Sequence, residues 1–360
     1  MKAACVLRLL SLALPLSLAR AALFPEACEV RREFIYMKAP FPECHASTIV
    51  QADDGLVAAW FGGTREKHPD VGIWVSRNHG GEWSAPVEVA NGVQPDGSRV
   101  PTWNPVLHRA SASDLVLFYK AGPSPETWWG MMRRSKDGGR TWGEATRLPD
   151  GILGPVRNRA VVLPDGTWLA GSSTEQGGWR IHFERSKDAG LTWERTADLG
   201  DPMTMGLIQP GLALLPGDRV LAYCRSRVGR VFVTESGDGG RTWSGPIPTA
   251  LPNPNSGIDA IALRDGRILV VYNHTGGNWG SRSPLNVAVS RDGVAWQEVA
   301  VLENEPGGEF SYPAVIEASD GRVHVTYTWK RRRVRHVVLD PSLCEPRPLP
   351  PMPPARKKDK

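Results

Sequence analysis

Twelve positions in this chain combine polar chemistry with a regular place in the sequence. His45, Asn104, Asn158, Gln209, Asp259 and Tyr312 each open an apolar run, and Arg65, Lys120, Glu175, Arg225, His274 and Lys330 each close the run that follows. Imidazole, phenol, guanidinium and carboxyl groups converging on one enclosed mouth suit a small acidic ligand, with arginine favoured for a bidentate grip on a carboxylate. Taken singly, each such residue would do no more than solvate the mouth of a channel. Their convergence is what carries the functional reading, and it requires elements that bring six distant segments together.

Those elements show as a repeat. "SKDGGRTW" at 135 returns as "SKDAGLTW" at 186 and "SGDGGRTW" at 236, with degenerate copies "SRNHGGEW" at 76 and "SRDGVAW" at 290. The closing tryptophans Trp83, Trp142, Trp193, Trp243 and Trp296 recur at intervals of 59, 51, 50 and 53 residues, the mark of one supersecondary unit per step. Six turn signals, beginning with "DDGLVAAWFGG" at 53 and ending with "SDGRVHVTYTW" at 319, each follow a short apolar run such as "STIV" or "AVIE". Each unit therefore reads as an inner hairpin, a third strand leading into the box and a fourth strand after it. Six four-stranded units closing radially predict an all-β, six-bladed β-propeller spanning 22–345. A hairpin puts the start of its first strand and the end of its second at one face, so the twelve polar positions should ring the axis.

The boxes themselves read as structural. Asp caps amides of a tight turn, Gly supplies positive φ, and Trp is expected to pack into its blade. Closure of the ring is expected from "EFIYMKA" at 33–39 pairing with "VRHVVLD" at 334–340, which leaves no open edge.

The remaining features bound the class. Lys2, an apolar run from Leu9 to Ala19 and "ARA" at 19–21 predict an export signal over 1–21, with a mature chain from about Ala22 that is secreted or periplasmic. A membrane anchor would need roughly 18 or more apolar residues. Of the cysteines outside that segment, Cys28 and Cys344 are placed to join the chain ends in a disulfide, the alternative being four free thiols. No pair has metal-ligand or redox spacing, so no cofactor is expected. A net charge of +5 does not imply nucleic-acid binding. "KRRRVR" at 330–335 reads as a solvated hairpin, and 346–360 as a disordered Pro- and Lys-rich tail. A monomer acting on a glycan or glycoconjugate is expected.

Over roughly 35–340 the chain resembles the sialidase (neuraminidase) superfamily, specifically its bacterial branch with BNR repeats. "EFSYPAVIEASDGRVHVTYTW" resembles the segment carrying the tyrosine nucleophile, which the resemblance assigns to Tyr312. "LLPGDRVLAYCRSR" and "GGNWGSRSPLNVAVSRDG" resemble the segments of two carboxylate-gripping arginines, Arg225 and Arg282. The first arginine of that family's trio is replaced here by His45, in "PECHASTIV". "GGTREKHPDVGIW" is similar to the segment of the Asp acid/base, giving Asp70 with Arg65 beside it. Where the family has the Glu that polarises the tyrosine stands Gln209, which cannot accept a phenolic proton, so Asp259 or Glu175 would substitute.

The resemblance implies an exo-acting glycoside hydrolase on a terminal acidic sugar, sialic acid first. His45 leaves open a rhamnosidase or uronate lyase on the same fold, and a noncatalytic glycan-binding propeller is the third reading.

Overall fold

In the computed structural model, which describes residues 26–352, the six apolar runs and the strands after them fold as six antiparallel sheets. Blade 4 shows the plan: Leu207–Leu215 and Arg219–Ser226 form the inner hairpin, Arg230–Ser236 leads into a box, and Ile247–Pro252 closes the outer edge. Among the described residues there is no helix. The sheets radiate from an axis, and the apolar core lies between neighbouring blades, as where Leu207, Leu212 and Cys224 of blade 4 meet Leu169 and Phe183 of blade 3. The protein is a six-bladed β-propeller.

Ring closure uses the two chain ends. Glu29–Phe34 pairs antiparallel with Arg333–Leu339, Phe34 lying opposite Arg335, so an N-terminal strand completes the sixth blade. That strand starts and stops several residues before the expected 33–39. Beyond Phe34, Ile35 and Tyr36 turn into a cluster with Phe41 and Trp60, because their side chains are worth more buried against blade 1 than paired at an edge. The segment after 345, expected to lack structure, contributes a fifth strand to blade 5: Arg347–Pro348 pairs with Gln297–Glu303, and Arg347 binds both Glu298 and Glu26 at 2.8 Å.

Cys28 and Cys344 meet where these ends converge, packed in one cluster as free thiols, Cys28 Sγ donating to the Val299 carbonyl at 3.8 Å. In an oxidising buffer they should cross-link, and nonreducing peptide mapping should find the two peptides joined. Two alkylatable thiols at these positions after oxidation would count against the pairing.

The boxes cap turns as their sequence implies. Ser135 Oγ donates to Asp137 and accepts from the Gly139 amide, while Asp137 accepts from the amides of Arg140 and Thr141 and from the Thr141 hydroxyl. Their tryptophans, however, pack against the preceding blade rather than into their own. Trp243 stacks on Phe183 at 3.5 Å, Trp193 meets Phe118, Trp296 meets Tyr223, and Trp83 crosses the closure to His336. The outer turn of one blade thus covers the apolar flank of the blade before it, and the repeat spacing is the spacing of these inter-blade contacts.

A further regularity positions the site. In blades 1, 2, 4 and 6 the inner strand carries a bulge, shown by register shifts at His45/Thr48, Trp103/Val106, Ile208/Gly211 and Ser311/Ala314. At each bulge a non-glycine residue has positive φ: Ala46 (56°), Asn104 (37°), Gln209 (58°) and Tyr312 (54°). Such backbone is costly and persists where the surroundings enforce it, often beside active sites. Between blades 4 and 5 the inner strands approach so closely that a Cβ on Gly211 would lie 3.0 Å from the Ala260 amide nitrogen.

Candidate active site

The bulge of blade 6 brings Tyr312 to the axis, 9% exposed, among groups from several other blades. Its Oη accepts from Arg225 Nη1 at 2.7 Å and from Gln209 Nε2 at 3.4 Å. Three guanidiniums surround the ring, those of Arg157, Arg282 and Arg225 at 5.1, 5.6 and 5.8 Å from its centroid. Burial pushes the phenol up, but Arg225 and Arg282 outweigh it and hold the group below its ordinary value. Two donors and a ring of cations stabilise a phenolate, the form in which a tyrosine is a nucleophile.

Arg225 is fixed on all sides. Its Nε donates to Asn255 Oδ1 at 2.6 Å, and its guanidinium lies beside the edge-to-face pair of Trp179 and Trp279, 5.2 and 5.4 Å from their ring centroids. Trp279 is 64% exposed and forms the lip of the mouth. Arg282 reaches the same phenol from the next blade, held by Glu309 at 2.9 Å. Glu309 also accepts from Arg331 Nε at 2.7 Å, and Arg331 pairs in addition with Glu66. Arg331 belongs to the basic run at 330–335 read from sequence as a solvated hairpin. The run does form a hairpin turn, Trp329 lying opposite Arg333 and Arg332 exposed, but it is not solvated throughout: half-buried Arg331 is directed at two carboxylates of the site.

His45 packs its ring on Tyr312 at 4.1 Å and shares Nδ1 with Thr328 Oγ1 at 2.9 Å. Burial first, and the nearby arginines with it, hold its pKa well below the usual imidazole range, so the ring is neutral, with Nε2 lacking a partner.

The other sequence-derived residues divide. Asn104 lies buried at the bulge of blade 2, and Asn158 ties blade 3 to blade 4 by donating to the Gln209 carbonyl at 3.1 Å. Asp70 is on the blade 1 loop with Glu66; burial pushes its carboxyl up, but Thr64 and His68 together outweigh this and hold it below its ordinary value. Glu175 is half-buried near Arg225, and burial raises its carboxyl. Arg65 is exposed on the blade 1 loop, and Lys330 pairs with Glu305 at 2.7 Å.

Three residues turn away from the phenol. Lys120 occupies in blade 2 the position Arg225 has in blade 4, yet its amine donates to the Pro155 carbonyl at 2.9 Å, and burial lowers its pKa to about 7. His274 is held between Tyr272 Oη at 2.7 Å and the Pro350 carbonyl at 3.0 Å. Asp259 accepts from the Ala260 and Val315 amides, both at 2.9 Å, deeper along the axis, so it is not placed to take the proton of Tyr312.

Sequence reasoning did not find Arg157, Asn255, Glu66, Glu309 or Arg331. Arg157 stands beside the selected Asn158, and its guanidinium donates to the Pro313 carbonyl next to Tyr312. A signal for it was available in "RNR" at 157–159, two cations flanking a polar inner-strand start.

The model of the BNR repeat-like domain family matches residues 54–325, three quarters of the chain. The chain belongs to this family, within the sialidase-like superfamily. An exo-alpha-sialidase of Aspergillus fumigatus is 29% identical over 157 residues, 36% of this chain and 38% of that protein, so the match spans well under half of the fungal relative. Among solved structures, a protein of unknown function from Dyadobacter fermentans superposes with a TM-score of 0.72 at 18% identity, covering 87% of this chain and 98% of that one. An intramolecular trans-sialidase from Ruminococcus gnavus, solved with oseltamivir carboxylate, superposes with a TM-score of 0.71 at 11% identity, covering 90% and 99%. At these identities the structural likenesses establish the fold of this BNR-repeat propeller.

Its buried imidazoles make stability depend on pH. Burial lowers the pKa values of His45, His274 and His336, and takes His108 and His324 to about 4. Each is a base whose folded pKa lies below its unfolded value near 6.5, so below that pH the unfolded chain binds more protons and stability falls with acidity. Each contributes about 1.4 kcal/mol per unit of separation. Thermal melts should show Tm dropping steadily from about pH 6.5 to about 4, and a flat profile over that window would refute neutral burial of these rings.

Proposed function

We propose that this propeller is an exported exo-glycosidase of sialidase type, acting on a terminal acidic sugar, with sialic acid the first candidate. The single observation supporting it most is the phenol of Tyr312 at the axis, its oxygen facing Arg225 and Gln209 amid a surplus of guanidinium groups. In this reading Arg225 and Arg282 grip the sugar carboxylate. Tyr312 Oη attacks the anomeric carbon, the bond to the aglycone oxygen breaks, and a rim carboxyl protonates that oxygen. Water then cleaves the tyrosyl–sugar bond, returning the phenol. Gln209 donates to the phenol and accepts from Arg225 at 3.4 Å, so activation rests on cations instead of a carboxylate base.

The leaving-group proton comes from Asp70 or Glu175. An aryl glycoside whose leaving group needs no protonation separates them: the substitution, Asp70→Asn or Glu175→Gln, that slows the natural glycoside far more than the activated one marks the acid.

One observation favours a second reading. His45 is a neutral imidazole with a free Nε2 beside the same site, the form required of a general base in a uronate lyase. A panel of chromogenic glycosides of acidic and deoxy sugars, read by product mass, decides between them. Hydrolysis supports the sialidase type, an unsaturated uronate supports the lyase, and no turnover leaves a glycan-binding propeller.

A further inference from the structure

The inner strands run from the mouth just described to the opposite face of the propeller, where their far ends enclose a second cavity of about 430 Å³. Its walls mix apolar side chains such as Leu107, Ile261 and Ile316 with polar ones such as Gln51, Arg264 and Glu317. Into it is set Arg159, from the start of the short inner strand of blade 3. Among the described residues no hydrogen bond or ion pair reaches its guanidinium, and its Nε is fully buried without a partner. His108, 4% exposed, lines the same cavity with Nε2 also unpartnered.

The charge count along the axis leaves Arg159 unsatisfied. The buried carboxylate near it is Asp259, whose oxygens already accept two backbone amides and whose field is shared with Arg157 beneath Tyr312. At the rim Arg109 is paired with Asp53, while Glu317 accepts from the Arg264 backbone amide and leaves that side chain only a long contact to the Ser319 carbonyl. Arg159 is half-buried with its Nε withdrawn from water; a guanidinium held so without a counter-charge is costly, and a planar anion supplied by a ligand relieves it with two parallel hydrogen bonds.

We propose that this lower cavity is a second binding site, separate from the Tyr312 mouth, for a small organic monocarboxylate with an apolar body. Arg159 takes the carboxylate and the strand ends cover the hydrocarbon. A neutral His108 suits this role because it adds a hydrogen-bonding atom without a second charge. Arg159 is the part-buried guanidinium here without an ion pair, and beside the apolar side chains it fits a carboxylate better than a multiply charged, strongly hydrated phosphate.

Phenylacetate titrated into the full chain by calorimetry tests the assignment. Saturable binding is expected, weakened about tenfold or more by Arg159→Gln and unchanged by Arg282→Ala. Loss of binding in Arg282→Ala but not in Arg159→Gln would place the probe in the upper mouth and overturn the proposal, as would absence of saturable binding to the unaltered protein. Inorganic phosphate competing as well as phenylacetate would overturn the ligand class. Should Arg159→Gln fail to fold, Val162→Trp at the lining position that is 44% exposed fills the cavity, and phenylacetate binding that survives it refutes the site. Because the two mouths are tested by different variants, failure here leaves the sialidase-type reading standing.

Discussion

Tyr312→Phe is expected to lower kcat by about a hundredfold or more with KM little changed, on whichever substrate the glycoside panel identifies. The substitution deletes one oxygen and keeps the ring that packs on His45 and under the three arginines. Arg225 keeps its bond to Asn255, so the carboxylate grip survives and the loss falls on the chemical step. Steady-state kinetics with a thermal melt as a folding control measures it. If His45→Ala costs more than Tyr312→Phe, the tyrosine mechanism is wrong although the fold stands; if neither matters, the chemistry lies elsewhere.

Arg225→Ala should be the second large loss, acting on both binding and nucleophile. A desolvated, charge-assisted pair with a substrate carboxylate is worth roughly 2 to 5 kcal/mol, which raises KM steeply. The same guanidinium lowers the pKa of Tyr312, so its removal destabilises the phenolate and moves that pKa upward. The rising limb of the pH–rate profile, set by deprotonation of the phenol, should therefore shift to higher pH. Arg225→Lys restores charge but not the fork, and should recover the position of the limb more than the affinity. A limb that stays in place in Arg225→Ala would show that Tyr312 is not the group titrating.

The neighbouring structures include a trans-sialidase solved with oseltamivir carboxylate and a protein of unknown function, so the architecture by itself does not choose a reaction. The choice rests on the constellation around Tyr312. That constellation departs from the sialidase pattern at His45 and Gln209, yet it gathers more guanidinium groups than the two arginines the resemblance supplied.

What the sequence determined by itself was whatever short-range pattern encodes. Turn residues, strand alternation and the recurring tryptophans specify the blades and their number, because each depends on neighbours within a few tens of residues. Tyr312, Gln209 and Arg225 were legible for the same reason, each having a defined place in its own hairpin. The direction of each side chain was decided only by tertiary structure. Lys120 and Arg225 hold equivalent positions, but a carbonyl of the next blade captures the lysine while the arginine meets a phenol 87 residues away. Arg331 and Glu66 are 265 residues apart and meet only because the ring closes, which draws one arginine of the basic hairpin into the site. Positions in a hairpin follow from local hydrogen bonding, whereas the pairing of buried charges follows from which blades become neighbours, and no local pattern encodes that.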